Sequence, residues 1–587
     1  EAAYGFDRLR QRPDSDDLLT ARTLFKTVIA FKRSGDPRYA AEAEKVWGEL
    51  DKKLPAGGLV LGKRAFSVDD LKQEMDRPVE MLFGKLSDEY VAGRYGNASH
   101  TGVGDGGTPF LDPAFSVKMR YNLESTQRDG ADWVKEQVIY AVNSLKPDRG
   151  QVALPGFFPV TAPNLILYRG FDGVYAVVSK DGFVAHGRTH RAGELFWFTP
   201  AMGGAQSLMS GDDRETVRSW WMNYWQRTMP TLVFENAQVG SLSHDGKLVY
   251  FVDDIAIPPQ PQMFNQWGGM QPPGMSMGLR GMTDYSRLVA IDIETGRKMW
   301  HLGGLAAAVM TEQEEEKSTN AQLLTENAIF LGPPLPHNGR LYVLYERNNT
   351  IKLGCFDPHK LILQPAANGK RAERCPELIW VQNLGTPNTK LSQDSLRRIQ
   401  PAYLTYSDGV IICPTNSGAV IAVDLNARSL KWAKPYNTAV VANGNDMNPG
   451  NPFGRPIRRF PGDGMGGVQP LPNDRWRASA PIISGGKVVF TAHDADRIIC
   501  FDLRTGDELW SAPREKDDLY VGGVINGKVL VVGKKAARAY TLAGDGGKPA
   551  VAWQGLAIGE PCGHGVASKD GLYFVPLTSD PDKPAEK

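Results

Sequence analysis

The sequence predicts an all-β fold, a seven- or eight-bladed β-propeller, preceded by a short α-helical segment. Three observations predict it. A unit of strand, Thr-Gly-like turn and strand ending in Trp recurs along the chain. A hairpin unit built on a Gly turn recurs beside it. Before about residue 90 the apolar period is that of a helix.

The first segment reads as helices. Leu18, Leu19, Ala21, Leu24, Phe25, Val28 and Ile29 recur at helical spacing. Ser34–Gly35–Asp36–Pro37 ends that helix, and Pro37 suits the first turn of the next. The second helix places Tyr39, Ala40, Ala43, Val46, Trp47 and Leu50 on one face. The pair resembles one tetratricopeptide-like hairpin. Ser67 followed by Asp70 is an N-cap signal for a third helix through Met75. The expected boundaries are 1–90 for the helical segment, 91–577 for the propeller and 578–587 for a solvated tail.

The repeat carries the fold prediction. Its clearest copies are LVAIDIETGRKMW (288–300), AVIAVDLNARSLKW (419–432) and RIICFDLRTGDELW (497–510). Weaker copies end in Trp380 and Trp553, and another, beginning at 173, leads to Phe196 and Trp197. The hairpin halves are DGKLVYFVDD (245–254), NGRLYVLYER (338–347), SDGVIICPTN (407–416), GGKVVFTAHD (485–494), NGKVLVVGKK (526–535) and DGLYFVPLTS (570–579). Asp-Gly, Asn-Gly and Gly-Gly permit the positive φ of tight hairpins. Val, Ile, Leu, Phe and Tyr fill sheets covered on both faces. Trp300, Trp380, Trp432, Trp510 and Trp553 are the candidate wedges between sheets, since indole offers the largest apolar area. A thin sheet cannot bury both faces alone, so stacking such sheets radially is the stable solution. Eight blades are expected, with seven the alternative. The stretch 93–120 is the expected start of the ring and a source of outer strands for the closing blade.

Composition bounds the function. The chain has 587 residues, 42% hydrophobic and 23% charged, with 63 Gly and 40 Pro. Lys+Arg total 67 against Asp+Glu 66, a net of +1, so no global field favours nucleic acid or an anionic membrane. The longest apolar runs, such as 487–492 and 528–532, suit strands and not a bilayer-spanning helix. The opening EAAYGFDRLRQ has no apolar h-region. It reads as a mature end after cleavage or as the start of a fragment. Five Cys are present; Cys355 and Cys375 could pair, or all five could be reduced.

At this point the residues carry a resemblance. YGNASHTG and GGTPFLDPAFSVKM within 93–120, and the D-[LI]-x-T-G-x-x-x-W endings, resemble bacterial pyrroloquinoline-quinone (PQQ)-repeat and outer-membrane-assembly-lipoprotein-like propellers. ENAQVGSLSHDGKLVYFVDDIAIPP (235–259), CPTNSGAVIAVDLNARSLKWAKPY (413–436) and WRASAPIISGGKVVFTAHD (476–494) resemble large bacterial propellers that also carry tetratricopeptide-like helices. The resemblance implies a quinoprotein-like propeller exported to the periplasm or cell surface. Quinoprotein dehydrogenases of that fold have a carboxylate and amide cluster on Ca²⁺, a catalytic Asp, a Trp floor and often a vicinal disulfide. This sequence has no adjacent Cys pair, and no position matches the Asp base.

Candidate sites are few. His186 and His190 in HGRTH have the i, i+4 spacing of metal ligands, but sit at a turn after a strand. His493, Asp494 and Asp496 group oxygens near a strand turn, where Asp is common anyway. RETVRSWWMNYWQR (214–227) crowds Trp220, Trp221, Tyr224 and Trp225. It reads as a helix capping a blade, or as a partner-contact surface. The stretch 263–282 holds Met263, Met270, Met275, Met277 and Met282 among Gly and Pro. It reads as a plain loop, an adaptable protein contact or a soft Cu(I) site. The stretch 443–475, with Arg455, Arg458 and Arg459, and acidic 311–319 read as solvated loops. No catalytic, metal or cofactor-binding residue set is assigned. The expected function is a non-catalytic scaffold for protein assembly in the cell envelope, with other proteins as partners. The alternatives are a PQQ- and Ca²⁺-dependent oxidoreductase and a polysaccharide-binding propeller.

Overall fold

The structure is a computed structural model of the chain. It describes residues 2–11, 19–33, 37–55, 58–61, 64–76, 93, 95–104, 114–117, 128–145, 152–259, 276–305, 318–364, 373–387, 389–436, 476–477 and 480–578. They fall into two compact units, one of residues 1–85 with 406–411 and 424–429, the other of the remainder.

The first unit is helical. Its helices run Ala2–Arg10, Ala21–Arg33, Pro37–Lys53 and Val68–Asp76, with a short hairpin of Leu59–Leu61 and Arg64–Phe66. Leu24, Val28 and Phe31 share one stripe, and Tyr39, Ala43, Val46 and Leu50 another; all are buried together. The rings of Phe31 and Tyr39 stack at 4.8 Å. Ser67 and Asp70 form a reciprocal cap. Ser67 Oγ accepts from Asp70 N at 3.2 Å, and Asp70 Oδ2 accepts from Ser67 N at 2.9 Å.

From residue 160 on, the described residues form five four-stranded sheets and one five-stranded sheet, all antiparallel where the register is resolved. Sheet 1 is Val160–Ala162, Leu165–Arg169, Gly173–Val178 and Leu195–Pro200. Sheet 2 is Leu242–His244, Leu248–Asp253, Arg287–Asp292 and Lys298–Gly303. Sheet 3 has a split first strand (Ile329–Phe330 and Leu335–His337), then Arg340–Arg347, Thr350–Gln364 and Glu373–Gly385. Sheet 4 is Thr405–Ser407, Val410–Pro414, Ala419–Asp424 and Ser429–Pro435. Sheet 5 is Ile482–Ser484, Lys487–Phe490, Arg497–Asp502 and Glu508–Pro513. Sheet 6 is Asp518–Ile525, Lys528–Gly533, Ala536–Thr541 and Val551–Ala557. A final ladder, Val566–Ala567 with Tyr573–Phe574, has two strands among the described residues. The segment before sheet 1 meets it from the first-strand side: Gly104 makes a parallel bridge to Ser568.

Indole rings join the sheets. Each resolved blade Trp faces a small residue in register: Trp197 faces Ala176, Trp300 Ala290, Trp380 Cys355, Trp510 Cys500 and Trp553 Ala539. Three of these, and Trp432 of sheet 4, reach the following sheet. Trp197 Nε1 donates to Ile293 O (2.8 Å), Trp300 to Pro358 O (3.0 Å), Trp432 to Leu503 O (3.0 Å) and Trp510 to Leu542 O (3.1 Å). Three of those acceptors precede a turn glycine on which the ring lies. A Cβ on Gly296, Gly506 or Gly544 would come within 2.7, 2.5 or 2.6 Å of Trp197, Trp432 or Trp510. All three have φ near +70°, at 69°, 73° and 69°. The turns are tied by aspartate: Asp502 Oδ1 accepts from Arg504 N and Thr505 N at 2.8 and 2.9 Å. Burying an indole hides about 200 Å², an upper estimate of about 5 kcal/mol per wedge. Trp380 and Trp553 are half-buried. Trp380 lies 6.3 Å from the Tyr342 ring, and Trp553 packs with Tyr520 and Leu530.

Sheet 3 docks differently. Its third strand bulges between Asp357 and Leu361, presenting Pro358 O to Trp300. His359 Nε2 donates to Asp245 in the first turn of sheet 2 at 2.8 Å, and Tyr250 Oη donates to the same carboxylate at 2.6 Å. Burial alone would raise the Asp245 carboxyl. The bonds from His359, Tyr250 and the backbone N–H groups of Leu248 and Lys247 outweigh burial and hold it down at about 2.

Two expectations are corrected. The fold is mixed α/β overall, because helices Arg128–Ser144, Ala205–Ser210, Arg214–Trp220, Met277–Asp284 and others fill connections between strands. Cys355 and Cys375 do not pair. Register shifts set Cys355 opposite Trp380 and Cys375 opposite Ile362, on different rungs, and both are buried and outside any disulfide. Among the described residues no helix is long and apolar enough to cross a membrane.

Gly506→Ala is expected to cost about 2–4 kcal/mol, from the left-handed backbone and the clash with Trp432; chemical denaturation followed at sheets 4 and 5 by hydrogen exchange checks it. The Asp245 contribution to stability is complete above about pH 4, its unfolded range, and fades as the pH falls toward 2. Asp245→Asn should flatten that part of the melting profile between pH 4 and 2.

Candidate functional site

The first strands of the sheets converge. Ser243 Oγ in sheet 2 donates to Pro334 O beside the first strand of sheet 3 at 2.7 Å. Thr405 Oγ1 at the start of sheet 4 donates to Pro481 O at the start of sheet 5, at 2.8 Å. These strands line the axis, as first strands of a propeller do.

A segment of the same chain runs along that axis. Ser99 O accepts from Ile483 N at 3.0 Å. His100 Nδ1 lies 2.9 Å from Pro481 O and 2.8 Å from Thr405 Oγ1. Gly104 N donates to Ala567 O at 2.8 Å, and Gly104 O accepts from Lys569 N at 2.9 Å. Tyr95 sets its ring edge-on to Tyr403 at 6.5 Å. Beside the segment lies a cavity of about 60 Å³. Asn97, His100, Ser243, Pro334, Tyr403 and Leu404 are among its lining residues, and no carboxylate is. Calcium takes six to eight oxygen ligands, several of them carboxylate, and a quinone tricarboxylate needs cationic or amide partners. Among the described residues the lining has no carboxylate for Ca²⁺ and offers only Asn97 and His100 toward a tricarboxylate, so it does not fit PQQ with Ca²⁺.

Charge is spent on joining elements. Arg398 binds Asp254 through both Nε and Nη2 and donates Nη1 to Thr283 O, linking the helix Ser395–Arg398 to the end of the second strand of sheet 2. Arg397 pairs with Glu346 at 2.9 Å, and Arg477 with Glu235 at 3.3 Å. Arg538 clamps Asp518 through two bonds of 2.5 Å. Arg169 lies 3.6 Å from Asp253, with its guanidinium 4.6 Å above the Phe251 ring; burial lowers its pKa. Burial likewise raises Asp172, whose Oδ1 accepts from Tyr175. These charges are fixed structural pairs. Asp253 and Asp254 also line, with Tyr285 and Arg287, a small cavity of about 20 Å³.

The sequence-predicted candidates fall elsewhere. Trp220, Trp221 and Trp225 are 2%, 0% and 0% exposed. They form a core with Trp133, Leu232 and Leu396 under the connecting helices, and Tyr224 packs half-buried against it. Trp221 Nε1 donates to Gln137 at 2.8 Å and Trp225 Nε1 to Pro258 O at 2.7 Å. This aromatic area serves the chain's own fold and leaves only neighbours such as Met222 exposed. A single turn of the stretch, Trp221–Trp225, adopts a wider helix, a local detail that the sequence pattern does not carry. Met263, Met270 and Met275 lie outside the described residues, as do Arg455, Arg458 and Arg459. Met277 begins the helix Met277–Asp284, and Met282 packs half-buried beside Leu279.

His186 sits at a hairpin tip with φ of 50° and stacks on Phe196 at 5.5 Å. His190 is buried and bonds Glu194 at 3.1 Å. Asp494 accepts from Tyr436 Oη at 2.9 Å, and His493 is 3.9 Å away from it. Among the described residues, no three His, Cys, Asp or Glu side chains converge as a metal site. Sequence reasoning missed the axial segment and the buried pairs. Their only signal was the glycine spacing of 93–104 and isolated Arg and Asp at strand ends.

With this geometry in place, residues 276–555 match the family model described as outer membrane protein assembly factor BamB, a PQQ-repeat family. Those residues carry a PQQ-repeat, BamB-like β-propeller domain. No curated protein matches it. Solved structures similar to this BamB-like propeller include BamB from Moraxella catarrhalis, at 9% identity over 72% of this chain and 82% of that one, with a TM-score of 0.34. A europium-containing methanol dehydrogenase is similar at 10% identity over 83% and 89%, TM-score 0.34. A quinohemoprotein alcohol dehydrogenase from Pseudomonas putida HK5 is similar at 12% identity over 72% and 69%, TM-score 0.34. Likenesses of this size do not choose between assembly and oxidation.

Arg398→Met leaves Asp254 buried without its partner and is expected to cost about 3–5 kcal/mol. The double variant Arg398→Met/Asp254→Leu should recover most of that loss in thermal melts.

Proposed function

We propose that this chain is a non-catalytic propeller that scaffolds protein assembly in the cell envelope, at the periplasm or cell surface. One observation carries the reading. Among the described residues, the cavity at the axis, where a propeller enzyme would gather its reacting groups, is lined by leucine, proline, Tyr403 and small polar side chains, with no carboxylate, beside the chain's own segment. The name of the matching family, an outer membrane protein assembly factor, supports the same reading. The ring is proposed to have seven blades. Six are the sheets above, and the seventh contains the ladder Val566–Ala567/Tyr573–Phe574, whose neighbour His564 sets its ring 5.0 Å from Phe158, ahead of sheet 1. Met263, Met270, Met275 and Met277 are proposed partner contacts, because thioethers adapt to varied apolar surfaces.

The rival reading is a PQQ- and Ca²⁺-dependent oxidoreductase, and one experiment separates the two. The protein is incubated with PQQ and Ca²⁺, melted, and assayed for dye reduction with a panel of alcohols and sugars. A ligand at a hundred times its Kd would add about 2.7 kcal/mol of stability. We expect no shift and no reduction; reduction that requires both PQQ and Ca²⁺ would overturn the scaffold reading.

A further inference from the structure

The chain's own segment Tyr95–Gly104 is seated on the first strand of sheet 5 and on that of the final ladder. Its contacts are of the kind a guest peptide makes. Three are main-chain bonds: Ile483 N to Ser99 O, Gly104 N to Ala567 O and Lys569 N to Gly104 O, at 3.0, 2.8 and 2.9 Å. The last two form one rung of parallel strand addition. Side chains then read the guest at two points. His100 meets Pro481 O and Thr405 Oγ1, and Tyr95 packs on Tyr403. The segment is not part of a core. Asn97, Val103 and Gly104 are exposed, and a cavity lies alongside. His100 also holds φ at 59°, a left-handed conformation that costs a non-glycine residue free energy and lowers the barrier to release.

We propose that this axial wall is a recognition site for an extended, uncharged peptide segment of a partner protein, and that Tyr95–Gly104 is its occupant within the same chain. The seated segment states the chemistry of the guest: small and glycine residues that let backbones approach, with an aromatic ring and an imidazole as the two readers. The chain's own segment competes with the guest, so apparent affinity falls with the fraction of time the wall is free. The proposal rests on the scaffold reading but can fail apart from it. A wall that takes no peptide sinks only this inference, whereas PQQ-dependent turnover sinks the scaffold reading.

The test uses the full chain and a fluorescent peptide with the sequence of residues 95–104. Anisotropy is measured on the wild type, His100→Ala and Thr405→Val, with a reversed-sequence peptide as control. His100→Ala should bind the peptide about tenfold tighter than the wild type, as the freed fraction of the wall rises; Thr405→Val, which takes a contact from the wall itself, should bind it more weakly than His100→Ala, and the control should not bind. Folded variants that bind no peptide, or bind both peptides alike, would overturn the proposal. A second measurement needs no variant. In the wild type, the amides of Gly104, Ile483 and Lys569 should exchange by local opening, faster than those of Ile499 and Val531 inside the sheets. Exchange as slow as the sheet interiors would make the segment a permanent strut and end the proposal.

Discussion

Everything in the propeller unit depends on an indole lying on a glycine. A four-stranded sheet with two apolar faces has no stable existence in water. Trp197, Trp432 and Trp510 each leave their own sheet at a register shift or turn end, cover the turn glycine of the next sheet and donate a hydrogen bond to a carbonyl just ahead of it. The ring supplies area, and the N–H supplies direction. The same Thr-Gly turn therefore has two duties: it closes its own hairpin and receives its neighbour's Trp. Sheet 3 keeps the acceptor and replaces the glycine with a bulge, adding the His359–Asp245 contact.

Once sheets are wedged this way, their first strands meet at the axis and their long connections are free to vary. The chain uses those connections to build a helical layer whose core is tryptophan, and it ties that layer to the sheets with buried Arg–carboxylate pairs. Such pairs contribute little net stability but penalise any arrangement that leaves one partner alone. At the axis, main-chain bonds hold the chain's own segment against the first strands.

Much of the fold was legible. The repeated Asp, Thr-Gly and Trp have fixed spacing, and each meets a local requirement: capping a turn, positive φ, apolar area. The helical stripe of Leu24, Val28 and Phe31 and the Ser67–Asp70 cap were legible for the same reason, since both depend on residues within a turn or two of each other. The candidate sites were far less legible. The aromatic stretch 220–225 has the composition of an exposed contact, and nothing local says that Trp133 and Leu396, distant in sequence, will cover it. Cys355 and Cys375 lie on neighbouring strands, but small register shifts decide which rung each occupies.

The sequence by itself determined the repeating unit, because hairpin turns and strand alternation are short-range and cost the same wherever they occur. It also determined a balanced charge without a global field. Only the tertiary structure decided what fills the axis, which charges pair and which tryptophans are buried. Those outcomes turn on residues hundreds of positions apart, such as His100 and Pro481 or Arg477 and Glu235, brought together when the sheets stack. Their proximity is a property of the packed molecule, and no local preference encodes it.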